Sequence, residues 1–98
     1  MELRELQELM HRTYGERDQQ RGIPATIAWL TEELGELARA TRKGTRAEQL
    51  HELSDVLAWL ASLANQLGLS LDEAAARYEH GCPKCHSAPC RCGNQGQT

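Results

Sequence analysis

Two short acidic strings constrain this chain more than any other feature: Glu32-Glu33-Leu34-Gly35-Glu36 and Glu52-Leu53-Ser54-Asp55. On a helix, residues three apart share a face, so Glu33 pairs with Glu36 and Glu52 with Asp55. Counting about 100° per residue, Ile27, Leu30, Leu34 and Leu37 make an apolar stripe with Glu33 and Glu36 along its edge. Leu53, Val56, Leu60, Leu63 and Leu67 make a second stripe, with Glu52 and Asp55 on the same side of it. Packing the stripes together brings four carboxylates to one seam. There, like charge and partial desolvation raise carboxylate pKa values unless a cation is present.

A single Glu-x-x-Glu is ordinary helix surface, glutamate being a good helix former. Two such pairs, both bordering a core and on helices joined by a short turn, point instead to a shared metal site. Oxygen ligands with no Cys or His among them suit Mg²⁺ or Mn²⁺, and Mg²⁺ commonly joins a few carboxylates to substrate phosphates.

The pattern E-E-x-x-E then E-x-x-D, with fifteen residues between Glu36 and Glu52, together with the strings ELGEL and ELSDVL, resembles the MazG-type nucleotide pyrophosphohydrolases of the all-α NTP pyrophosphatase superfamily. The resemblance covers residues 3 to 80. It implies an all-α, four-helix bundle with a central αα-hairpin, assembled as a homo-oligomer (dimer or tetramer). It also implies Mg²⁺-dependent cleavage of a nucleoside or deoxynucleoside triphosphate to monophosphate and pyrophosphate. Glu33, Glu36, Glu52 and Asp55 would hold the metal; Glu32 either orients or deprotonates the attacking water or is a surface residue. Phosphoribosyl-ATP pyrophosphatase has a similar acidic pattern and is the alternative substrate reading.

Ninety-eight residues allow one helical domain, here 1–80, followed by a tail, 81–98. A chain this short buries only ~60% of its unfolded surface, so assembly would help it. Abundant leucine with no phenylalanine favours helices over sheet. A net charge of −3 gives no general attraction to nucleic acid or an anionic membrane. The N-terminus has neither the basic region nor the apolar block of a signal peptide, and no run reaches membrane-span length, so a cytoplasmic protein is expected.

Leu3, Leu6, Met10 and Tyr14 space a first helix over residues 2 to about 20, with Gly15 a weak point and packing its expected job. Gly22 and Pro24 punctuate the chain before a second helix, which stops at Arg42-Lys43-Gly44 with cations in the last turn and Gly at C′. Thr45 with Glu48 is a capping box that opens a third helix running to Gly68. Ser70 with Glu73 is a second box, opening a short helix through Tyr78. Glu8/His11 and Glu48/His51 have the Glu-x-x-His spacing of di-iron carboxylate bundles, but the box explains Glu48 better.

From Gly81 the composition changes to CPKCHSAPCRCGNQGQT. Cys82 and Cys85 have the spacing of a metal knuckle, whereas Cys90 and Cys92 are closer than the usual second pair. A reducing compartment disfavours disulfides. A structural Zn²⁺ on Cys82, Cys85, Cys90 and Cys92 is expected, with His86 or His80 as substitute ligands and an iron–sulfur cluster as the lesser reading. Four thiolates close the site, so it is assigned no catalysis. A non-enzymatic zinc-dependent interaction module is therefore the alternative from a different functional class. The last few residues are expected to be disordered.

Four further residues are candidates for nucleotide binding. Lys43 falls on the face of Glu36, two turns on, and Arg77 lies on the fourth helix; either would meet phosphate, with solvated surface the plainer reading. Trp29 lies one turn before Glu33 and Trp59 one turn after Asp55. In an antiparallel hairpin both indoles come to the same end of the acidic cluster, where one would stack on a base and the other serve the core or an oligomer interface.

Overall fold

The computed structural model describes residues 1–93. Its elements are α1 (Leu3–Arg21), α2 (Ile23–Lys43), α3 (Arg46–Leu67) and α4 (Leu71–Ala76), with no strand among the described residues. The disorder expected of the last few residues falls on positions, 94–98, that lie outside them.

Local chemistry sets the boundaries. α1 continues through Gly15, because one glycine costs only about 1 kcal/mol against alanine and a long helix packed on a neighbour absorbs it. Gly22 alone separates α1 from α2 at φ +85°, a left-handed backbone that lets two helices meet across one residue. Gly44 ends α2 as expected, but in an extended rather than a left-handed conformation. Its φ is −93°, and a Cβ there would lie 2.9 Å from the Ala40 carbonyl oxygen. Glycine is required at that point for close approach.

Thr45 Oγ1 accepts from the Glu48 N–H (3.2 Å) and Glu48 Oε1 from the Thr45 N–H (2.8 Å), completing the first capping box. Only the Ser70 half of the second box forms, through the Glu73 N–H at 3.2 Å. α4 ends at Ala76 rather than Tyr78, and residues 77–80 are turns.

α3 is the central element, with α2 and α1 each packed against it and α4 resting on α1. Gln7 ties three elements together. Its Nε2 donates to the Leu69 carbonyl (2.6 Å), its Oε1 accepts from the Leu71 N–H (2.9 Å), and its own carbonyl accepts from Asn65 Nδ2 (3.0 Å).

The leucine stripes form the seam of the hairpin only in part: Leu30 and Leu37 of α2 and Val56 and Leu63 of α3 are half-buried, and the rest are exposed. The buried apolar residues are Ala40, Ala61 and Ala64, accompanied by the polar Asp18, Thr26 and Ser62. On α2 the inward line runs through Thr26, Leu30, Glu33, Leu37 and Ala40, while Ile27 and Leu34 are about half exposed. Leu53, Leu60 and Leu67 on α3 are likewise exposed. The hairpin is thus rotated from the expected packing, with small side chains at the helix contacts and Glu33 within the seam.

The accessible surface of 7440 Å² exceeds the roughly 5,600 Å² of a typical monomer of this mass. The radius of gyration, 15.7 Å, exceeds the ~12.6 Å of a compact chain of this length.

Candidate active site

Glu33 from α2 meets Asp55 and Glu52 from α3 across the seam. Its carboxyl is held above the ordinary value of 4.5, first by partial burial, then by the charge of Asp55, then by that of Glu52. Asp55 also lies within hydrogen-bonding reach of it, and Glu32 adds a smaller repulsion. One oxygen each of Glu52 and Asp55 and one ring nitrogen of His51 lie within 4.8 Å of one another. His51 Nε2 is 3.5 Å from Asp55 Oδ2. Glu36 sits toward the turn of the hairpin, lining a depression with Arg39, Lys43, Glu48 and Glu52. The four carboxylates therefore follow one seam, with Glu33, Glu52 and Asp55 closest together and Lys43 at the Glu36 end.

The donor set suits a hard divalent cation. Its oxygens come from two facing helices, and the upward shift at Glu33 records a repulsion that a cation would relieve.

Trp29 and Trp59 meet at the other end of the seam, ring centroids 6.1 Å apart and planes inclined by 12°. The Arg21 guanidinium lies over Trp59, 4.6 Å from its centroid, and bonds Asp18 Oδ1 at 2.7 Å. Arg77, by contrast, is the C-cap of α4, where its guanidinium hydrogen-bonds the Tyr78 hydroxyl at 3.0 Å. The structure does not bring it to the carboxylates. Glu32 is exposed beside Glu33.

Sequence reasoning missed the contribution of α1, for which only packing was expected. Tyr14, Arg17, Asp18 and Arg21 line a cavity of about 290 Å³ with Asp55, Ala58, Trp59 and Ser62 of α3. Asp55 and Trp59 make this cavity continuous with the acidic seam. A buried-aspartate signal is absent from the local sequence, where Glu16-Arg17-Asp18 has the look of solvated helix. The two Glu-x-x-His pairs stay apart. Glu8 and His11 line a groove with Asn65 and Gly68 at the C-terminal end of α3, roughly 20 Å by helix rise from Glu48 and His51.

In the tail, one sulfur from each of Cys82, Cys85, Cys90 and Cys92 lies within 4.8 Å of the others, and Cys82 and Cys92 are 3.7 Å apart. The Arg91 N–H donates to Cys85 Sγ at 3.3 Å and pulls that thiol down to about 6. Backbone N–H groups at Cys85 and Lys84 also lower Cys82. Cys92, hydrogen-bonded first to Cys90 and then to Cys82 and Cys85, is pushed up to about 12. Four sulfurs this close cannot all ionise alone, and the donor set is that of a thiolate-bound divalent metal.

The MazG nucleotide pyrophosphohydrolase domain matches residues 21–86, which take in α2, α3, α4 and the first cysteine pair. The chain belongs to the MazG nucleotide pyrophosphohydrolase family. It is similar to the uncharacterized protein YpjD of Bacillus subtilis (strain 168), 44% identical over 66 residues, which span 57% of this chain and 60% of that protein. The chain thus covers less than two thirds of that relative's length. Among the described residues, no helix is long and apolar enough to cross a membrane.

Proposed function

We infer that this protein is a Mg²⁺-dependent nucleoside triphosphate pyrophosphohydrolase that converts an NTP or dNTP to the monophosphate and pyrophosphate. The observation that carries the reading is the meeting of Glu33 on α2 with Asp55 and Glu52 on α3, its carboxyl raised first by partial burial and then by those two charges, in a chain of the MazG family. Glu33, Glu36, Glu52 and Asp55 would hold the cation, and His51, with Nε2 3.5 Å from Asp55 Oδ2, is near enough to Asp55 to orient it. When bound, a divalent cation neutralises phosphate oxygens and lowers the pKa of water.

In this reading Glu32 takes the proton as a water oxygen bonds to the α-phosphorus. The bond from that phosphorus to the bridging oxygen breaks, and pyrophosphate leaves with the electron pair. Lys43, beside Glu36 and Glu52, supplies positive charge to the phosphates. Trp29 and Trp59 bound the base end. Arg77 falls out of the binding set, being engaged with Tyr78.

The same reading takes the exposed leucine face as the contact with a second copy, and the four cysteines as a structural Zn²⁺ site closing a separate tail unit. A panel of NTPs, dNTPs and phosphoribosyl-ATP with Mg²⁺, scored separately for pyrophosphate and phosphate, tests the function. Pyrophosphate without phosphate is the expected result. Release of phosphate alone, or no turnover of any triphosphate, would overturn it.

A further inference from the structure

Asp18 is the most buried ionisable side chain near the site, its side chain only 5% exposed. One oxygen, Oδ1, is taken by Arg21 at 2.7 Å. The other, Oδ2, is buried with no hydrogen-bond partner. An orphaned carboxylate oxygen is costly, because desolvation is paid without compensation. Its surroundings resemble a recognition pocket of about 290 Å³, lined by the rings of Trp59 and Tyr14, the small Ala58 and Ser62, the cationic Arg17 and Arg21, and Asp55. That volume accommodates a nucleobase but not a whole nucleotide, and small-molecule sites characteristically combine apolar walls with a few fixed polar atoms. Asp18 also lines a second depression with His11, Gln19, Asn65 and Gln66, which has neither an aromatic carbocycle nor an acid of the seam.

We propose that Asp18 reads the base of the substrate, with Oδ2 accepting a hydrogen bond from an exocyclic amino group, so that cytosine, adenine and guanine nucleotides are preferred over those of uracil and thymine. The proposal rests on the nucleotide reading above and names the selectivity of that site. A carboxylate only accepts hydrogen bonds. An exocyclic amine projects beyond its ring and reaches a recessed oxygen. The ring N3–H of uracil or thymine is flanked by two carbonyl oxygens, which would press against the aspartate charge. Arg21 bridges Asp18 Oδ1 and, at 3.3 Å, Thr26 Oγ1. This anchors the carboxylate between α1 and α2, so Oδ2 has little freedom to find another partner. Asp18 lies on α1, outside the residues 21–86 that carry the family match.

The cleanest pair of ligands is dCTP and dUTP, which differ in this edge of the ring. With the full-length protein and Mg²⁺, binding of their non-hydrolysable α,β-imido analogues is followed by tryptophan emission, Trp59 being a wall of the cavity. The expected result is a Kd at least tenfold lower for the cytosine analogue, since a site built around a hydrogen bond strongly rejects ligands lacking it. In Asp18→Asn the amide can donate to the uracil O4, and the ratio should collapse or invert. Equal Kd values for the two analogues on the native protein would overturn the proposal whether or not the variant folds, as would an unchanged ratio in a folded Asp18→Asn. Pyrophosphate release without base discrimination sinks this inference and leaves the hydrolase reading intact. Base discrimination in binding with no turnover does the reverse.

Discussion

Glu33 carries the conflict of the carboxylate cluster, because burial and two facing acids all oppose its ionisation. The conflict gives a pair of expectations of opposite sign. Glu36→Gln and Asp55→Asn should each reduce pyrophosphate release by ~10²-fold or more, and the double variant should be little worse, since groups acting through one site are not additive. Glu33→Gln should also lower activity, yet its metal-free fold should melt at the same temperature or higher, because a repulsive charge is gone. Near-normal turnover in both single variants would remove the assignment. Trp59 makes a separate case. Its indole is in contact with Trp29 and Arg21, and Trp59→Ala should weaken nucleotide binding by ~1–3 kcal/mol with no change in assembly size by light scattering. Loss of assembly with unchanged affinity would make it an interface residue instead.

At the scale of elements, the capping box that opens α3 gives a pH-dependent prediction. Glu48 accepts the Thr45 N–H, and this bond holds its carboxyl below the ordinary 4.5. A depressed carboxylate contributes stability above its unfolded pKa and loses it as pH falls through the folded one. Urea midpoints of native protein and Glu48→Gln should therefore differ at pH 7 and converge at strongly acid pH. Thr45→Ala should cost ~1 kcal/mol at neutral pH.

The tail is a distinct element with its own expectation. Metal analysis should give about one Zn²⁺ per chain, following the ligand count of a four-cysteine site. The Cys82→Ser, Cys85→Ser variant should lose it while keeping its helical circular dichroism. Collapse of the helices on chelation would show that tail and bundle fold as one.

For the whole molecule, surface decides the prediction. Ile27, Leu34, Leu53 and Leu60 are 41–54% exposed, and the chain shows ~1,800 Å² more surface than a compact monomer of its mass. A standard protein interface takes only about 800 Å² from each partner, so that excess is ample for one. Sedimentation should find a dimer or larger assembly, and Leu34→Glu with Leu60→Glu should yield monomers that retain helix content. A native monomer would show that the open face is not a subunit contact.

The helix ends of α1, α2 and α3 were legible because caps, glycines and terminal charges act within a few residues of where they sit. The pairing of Glu52 with Asp55 was legible from periodicity alone, and the placing of Trp29 and Trp59 at one end of the cluster followed from an antiparallel hairpin, though their stacking on each other did not. Periodicity identifies a stripe but not what covers it. The angular count put every stripe residue inside, whereas Leu30, Leu37, Val56 and Leu63 are half-buried, Ile27, Leu34, Leu53, Leu60 and Leu67 stand outward, and Ala40, Ala61 and Ala64 are the fully buried apolar residues among those described. Rotation of one helix about its axis depends on the summed packing of both partners, which no local string encodes. Asp18 was illegible for the same reason. Its burial comes from the packing of α1 on α3, against Trp59 and Ser62 some forty residues away. By itself the sequence determined the helices, the two acidic pairs and the cysteine set, all of them short-range. Only the tertiary structure decided which faces meet, because burial and charge proximity arise from long-range packing.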